Sequence, residues 1–150
     1  MWLDFVLACI HHLLVFAIVV MLAIEIVTLK PGADSAAIRK LGRVDAAYGA
    51  LAGAVVIVGF LRAIYGLKGW DYYATNPLFW AKVGAFLIVG LLSIMPTIRF
   101  LQWNARLKAD PTFLPATADI KRVRPWLHAE AAVLTLIPII AAGLARGILD

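Results

Sequence analysis

The chain has 150 residues, of which 63% are hydrophobic and 15% charged, with a net charge of +5. A soluble domain carries roughly 25% charged residues, so the deficit places this chain in a lipid bilayer. Its single cysteine, Cys9, excludes an intrachain disulfide and a cysteine-rich metal centre. The positive charge is gathered in particular loops and no nucleic-acid-binding motif accompanies it, so no nucleic-acid partner is expected.

The first element is the apolar run 5–29, interrupted by His11, His12 and Glu25. As a helix rising about 1.5 Å per residue it crosses a hydrocarbon core of ~30 Å. It lacks a basic n-region and a small-residue cleavage site, and it is too long for the h-region of a secretory signal, so it is expected to remain in the mature protein. Three further apolar segments of ~20 residues follow at 46–65, 79–98 and 126–145. The pattern predicts an all-α protein, one four-helix integral membrane domain over residues 1–150, folded as an antiparallel bundle.

The first connection, 30–45, should contain helix, with Ser35 as cap and Ile38, Leu41 and Val44 leading into the second span. The second span carries Gly49, Ala50, Gly53, Ala54 and Gly59, small residues that let a neighbouring helix approach closely. The second connection, 66–78, is rich in aromatic residues. In the third, 99–125, an extension of helix three should give way to a loop broken by Pro111, Pro115 and Pro125. Pro96 and Pro138 fall inside spans three and four and should bend them or free a carbonyl.

Lys and Arg orient the bundle. Connection one holds Lys30, Arg39, Lys40 and Arg43, and connection three holds Arg99, Arg106, Lys108, Lys121, Arg122 and Arg124; connection two holds Lys68. The positive-inside bias puts connections one and three in the cytoplasm and both termini outside. Trp2, Tyr65, Trp70, Tyr72, Tyr73 and Trp80 then form an outer aromatic belt, and Trp103 and Trp126 an inner one.

Lipid offers no hydrogen bonds, so polar residues inside the spans must face protein, cofactor or trapped water. Helical spacing puts Asp4, His11 and Glu25 on one stripe, with His12 about 100° away beside Cys9 and Phe16. Asp45, Tyr48, Gly59 and Arg62 share a stripe of span two, while in span four His128 aligns with Thr135 and Glu130 with Leu134. Depth then separates two clusters. The outer one holds His11 and His12 below Arg62, Lys82 and Arg146; the inner one holds Glu25, Asp45, Arg99, His128 and Glu130.

The outer cluster has the layout a porphyrin needs: an apolar slot, an axial nitrogen and cations for the propionates. His11, or His12 in reserve, would ligate the iron of such a porphyrin. Arg62 and Lys82 would pair with carboxylates, and Phe16, Phe86 and Trp80 could flank the ring. The plainer alternatives are a histidine bonded to a backbone carbonyl and cations that reach out to lipid headgroups. A haem shared with His128 is excluded by a depth difference of ~15 Å. Cys9 and His12 could bind copper with a methionine, but Met1, Met21 and Met95 are scattered in depth. In the inner cluster, Arg99 with Glu25 or Asp45 would make a buried ion pair that fixes helix register, or Glu130 would relay protons.

The stretches GRVDAAYG, FLRAIYGLKGWDYYATNPLFWAKVG and LSIMPTIRFLQW resemble a bacterial membrane family, domain-of-unknown-function family 2214. That resemblance implies four spanning helices, a multi-pass place in the bacterial inner membrane and no established activity. A fainter likeness, carried by an apolar-His first helix, a Trp-x-Lys start to helix three and an Arg…Glu…Thr-Leu start to helix four, is similar to HemJ-type protoporphyrinogen oxidases and more loosely to CopD-type proteins. It implies haem b, with His11 as the first-helix histidine, Lys82 as the catalytic third-helix lysine and Arg124 with Glu130 as the fourth-helix pattern. The fourth helix here reads Ala-Glu-Ala-Ala-Val-Leu-Thr where HemJ-type proteins carry Asn-Glu-x-Pro-Thr.

The reading these features favour is a haem- or other redox-cofactor-binding membrane protein, oxidoreductase-like or an electron carrier. Its alternatives are a non-enzymatic subunit of a larger membrane complex or homo-oligomer and, third, a proton- or ion-coupled transporter using Glu25, Asp45 and Glu130.

Overall fold

A computed structural model describes residues 2–148. Among them are five helices: α1 (Trp2–Thr28), α2 (Ser35–Tyr65), α3 (Gly69–Thr75), α4 (Pro77–Ala109) and α5 (Thr117–Ala145). Four of these, all but α3, are long and apolar enough to cross a membrane. They pack as two antiparallel hairpins, α1 with α2 and α4 with α5, joined along α2–α4 and more lightly along α1–α5.

The turns follow local chemistry. Between α1 and α2, Pro31 is followed by Gly32 at φ +80°, where a side chain would be strained. Asp34 then caps α2, its carboxylate accepting from Ala37 N at 2.8 Å. Ser35, expected as the cap, is instead the first helical residue and accepts from Arg39 at 3.0 Å. Connection one is thus mostly the first turns of α2, with no break before the second span. Asn76 caps α4 by accepting from Leu78 N at 2.9 Å, with Pro77 at the first helical position, where its missing N–H costs nothing.

Connection two contains a short helix, α3, which no periodicity announced. Pro125 does not break the third connection: the loop closes at Ala116 and α5 runs through Pro125 and Pro138.

Helices α2 and α4, of 31 and 33 residues, are about 46 and 50 Å long and overshoot a ~30 Å hydrocarbon core. The overhang lies at the end that carries connections one and three, the basic end. There Leu29, Ile38, Leu41, Phe100, Trp103, Leu107, Ile120, Val123 and Leu127 are all nearly inaccessible. Trp103, expected in an aromatic belt, is buried in this core against Phe100, with ring centroids 5.9 Å apart. At the end that carries the termini the core is small: Ala63, Phe79 and Leu144, with Phe60, Tyr72, Tyr73, Leu78 and Val83 packed on it.

Asn104 ties α2 to α4. Its side-chain amide donates to Ile38 O and to Phe100 O, each at 2.9 Å. Gly42 makes room for it, since a Cβ there would lie 2.5 Å from Asn104 Nδ2. The expected close-packing glycines behave otherwise: Gly49 and Gly53 face open space, and Gly59 alone of that set meets another helix, at His11.

Candidate functional site

All five helices contribute to a cavity of about 390 Å³ at the end that carries the termini. Asp4, His11 and His12 come from α1, Gly59, Arg62 and Ala63 from α2, Tyr73 from α3, Phe79 and Lys82 from α4, and Ala141, Leu144 and Ala145 from α5. Lys68, between α2 and α3, joins them. The volume lies within the ~300–1,000 Å³ usual for small-molecule sites.

His11 is positioned by the stripe that continues into Ile18, Leu22 and Glu25, the buried face of α1. Its ring sits against Gly59, where an added Cβ would lie 3.2 Å from His11 Cε1. His11 Nδ1 is buried without a hydrogen-bond partner, and so is Arg62 Nε. Lys82 and Arg62 lie within electrostatic reach of the imidazole and of each other. Neither cation forms an ion pair among the described residues, where the bridge present is Arg122–Asp119 on the surface of α5. Lys82 Nζ lies 5.6 Å from the ring centre of Phe79. An imidazole and two cations that form no ion pair therefore share one hollow, with the Asp4 carboxylate also on its lining. The arrangement can take a carboxylate or phosphate on the cations and a metal or a hydrogen bond on the imidazole.

The other residues singled out from the sequence are placed differently. His12 lies at the cavity edge, exposed, its Nδ1 2.6 Å from Ala8 O, the backbone-bonded alternative for that histidine. Phe16 is 67% exposed and turned to lipid. Trp80 is 48% exposed, and its indole N–H donates to Ala74 O at 2.9 Å. Neither is brought to the cavity; Phe79 takes the aromatic place. Asp4, expected on the His11 stripe, and Tyr73, expected in the outer aromatic belt, also line the cavity, although neither was named as a site residue. Asp4 stands seven positions before His11, a spacing that signals a common helix face.

The inner cluster assembles differently from expectation. Glu25 and Glu130 are 2% and 1% exposed, with Asp45 and Tyr48 also buried beside them. Thr97 Oγ1 donates to Asp45 Oδ1 at 2.7 Å across the α2–α4 seam. Arg99 is not there: it lies on the outside of α4, bonded to Gln102 at 3.3 Å, in a shallow groove beside Trp126. The buried face of α4 is Pro96, Phe100, Trp103 and Leu107, and Arg99 falls off that stripe. The expected ion pair with Glu25 or Asp45 does not form. Tyr48 and Thr97, unassigned from sequence, complete the cluster; the only signal for Tyr48 was its shared stripe with Asp45. His128 is exposed on α5. No group of three His, Cys, Asp or Glu side chains among the described residues is arranged to hold a metal ion.

The chain belongs to the family described as "Predicted membrane protein (DUF2214)", whose profile matches residues 3–149. Neither the curated proteins nor the solved structures contain a match to it. The likeness to HemJ-type and CopD-type proteins therefore rests on the residues quoted above.

Proposed function

We propose that this protein works in the bacterial inner membrane as a redox-cofactor-binding protein, its cavity taking an amphipathic, carboxylate-bearing group, haem b in the first instance. The observation that carries the reading is the pair of buried, unpartnered nitrogens, His11 Nδ1 and Arg62 Nε, facing one hollow together with Lys82. A buried donor or acceptor left unpaired costs ~1–3 kcal/mol, so a ligand that satisfies several is bound selectively. The residues present fit the group. His11 offers an axial nitrogen, Arg62 and Lys82 offer charge-assisted bonds to two carboxylates, and Ala63, Phe79, Ala141 and Leu144 offer apolar wall. Haem when bound supplies a one-electron couple. Gly59 leaves the imidazole its position, Arg62 fixes the acidic edge of the ligand, and Lys82 is placed to hold a proton or a negative charge beside it. With the positive-inside orientation, the cavity opens to the outer side of the membrane.

The test is the visible spectrum of the purified protein titrated with haem. A Soret band is expected, lost in His11→Ala and kept in His12→Ala. No Soret band at saturating haem sinks the reading. Arg62→Ala should weaken binding by roughly 10- to 100-fold, the ~1.5–3 kcal/mol of one charge-assisted hydrogen bond.

A second reading, a subunit of a larger membrane complex or a homo-oligomer, draws on the bare small-residue face of α2, where Gly49 and Gly53 meet nothing. Mass spectrometry from mild detergent decides it. A stoichiometric partner lost in Gly53→Ile favours this reading, and a monomer without partner ends it.

A further inference from the structure

The inner cluster lies where the two hairpins meet, away from the cavity. Four helices supply it: Glu25 from α1, Asp45 and Tyr48 from α2, Thr97 from α4 and Glu130 from α5. Glu25, Asp45 and Glu130 are close enough to feel one another's charge. Among the described residues no Lys, Arg or His forms a salt bridge with any of them. Thr97 satisfies one oxygen of Asp45. Glu25 Oε1 and both carboxyl oxygens of Glu130 remain buried without a hydrogen-bond partner. The Tyr48 hydroxyl lies against Glu130, near enough for the two to interact, but short of the geometry of a full hydrogen bond.

Three anions in a bundle with no cation would be prohibitive in a low-dielectric interior, where each uncompensated charge costs several kcal/mol. Something positive must sit among them. The carboxyls are not disposed to ligate one metal ion together. A proton needs no coordination shell and converts an orphaned acceptor into a donor. A protonated Glu130 or Glu25 can donate to its neighbour's oxygen, and the Tyr48 hydroxyl can follow.

We propose that Glu25 and Glu130, with Asp45 and Tyr48 around them, form a proton-binding site at the seam between the two hairpins. The groups that face it are Glu25 on α1, Asp45 and Tyr48 on α2, the uncharged Thr97 on α4 and Glu130 on α5. Because the seam is where α1 and α2 meet α4 and α5, gain or loss of the proton changes the charge between the hairpins. It is independent of what the outer cavity binds.

Infrared spectroscopy of the full chain in lipid nanodiscs tests this. At neutral pH the carbonyl stretch of a protonated carboxylic acid is expected, moving to lower frequency in heavy water. Glu25→Gln and Glu130→Gln, which keep shape, should each diminish it, and the double variant should abolish it. If either variant fails to fold, dicyclohexylcarbodiimide decides the assignment on the unaltered chain. It adds to a protonated carboxyl in an apolar site with no leaving group, and mass spectrometry should find the adduct on Glu25 or Glu130. No carbonyl band at neutral pH, or a band and adduct that map to other carboxyls, overturns the proposal. So does a band abolished by sodium but not potassium chloride at equal ionic strength, which would make the site one for a metal cation.

Discussion

The two ends of the bundle are built on different physics. At the basic end α2, α4 and α5 run beyond the hydrocarbon core, so water surrounds the overhang and the hydrophobic effect drives its packing as in a soluble protein. Leu29, Ile38, Leu41, Phe100, Ile120, Val123 and Leu127 are at most 1% exposed there. At the other end the helices stand in lipid, where an apolar side chain gains little by leaving acyl chains for a neighbour. The helices are held there by a small core on Phe79 and Leu144, and the 390 Å³ cavity opens between them. Close side-chain packing is concentrated at one end, and space is left at the other where polar groups converge.

The sharpest way to break that comparison is to cut into the overhang. Phe100 is 0% exposed. Phe100→Ala should cost about 3–5 kcal/mol, the usual penalty for emptying an aromatic site that cannot collapse, read as a fall in thermal midpoint in detergent. If the loss is small, the overhang is not the stabilising half. Next comes Gly42→Ala. The new methyl displaces the Asn104 amide from Ile38 O and Phe100 O, a cost of about 1–3 kcal/mol. Asn104→Ala removes the same bonds, so the double variant should be hardly less stable than Asn104→Ala alone. Additive losses would show that Gly42 serves some other contact.

These contacts also mark how far the sequence could be read. Four spans, two polar clusters and the alignment of His11 with Glu25 follow from length and the 3.6-residue period, which depend on one helix at a time. Which helices meet depends on rotation and tilt that no single helix encodes. Arg99 was expected opposite Glu25 from depth alone and points outward instead. Trp103 carried the signature of an interfacial aromatic, yet α4 extends past the interface and turns it inward. The glycines of span two looked like a packing face, but the glycine that matters for α2–α4 contact, Gly42, stood outside the expected span because α2 begins eleven residues earlier than the hydropathy of 46–65 implies. In the cavity, His11, Arg62 and Lys82 converge, as their depths imply, whereas Phe16, on the face of His12 rather than that of His11, and Trp80 stay outside it and largely exposed.

At the lipid-embedded end the expected effect on stability is smaller and of opposite sign. Arg62 carries a buried nitrogen with no partner. Arg62→Leu should leave the thermal midpoint unchanged within about 0.5 kcal/mol or raise it, since an unpaired cation is exchanged for apolar volume. Ligand binding should fall in the same variant. A clear loss of stability would mean the guanidinium already holds the helices together and the cavity is no binding site.

The smallest effect belongs to the loop between α4 and α5, in water beyond the basic end. Asp110 accepts from Thr112 N at 2.9 Å and from Thr112 Oγ1 at 2.6 Å, and these bonds hold its carboxyl below the usual carboxylate range. A carboxyl that is more acidic folded than unfolded stabilises the fold above its unfolded value, near pH 4. That contribution fades as pH falls through the lower, folded value. The group is fully exposed, so the shift is slight. Comparing thermal midpoints of the unaltered chain and Asp110→Asn between pH 6 and pH 3 should show a small gap that narrows toward the acid side. A gap that widens on acidification would mean Asp110 opposes the fold. It would also mean that the loop is positioned by Pro111 and Pro115 rather than by its hydrogen bonds.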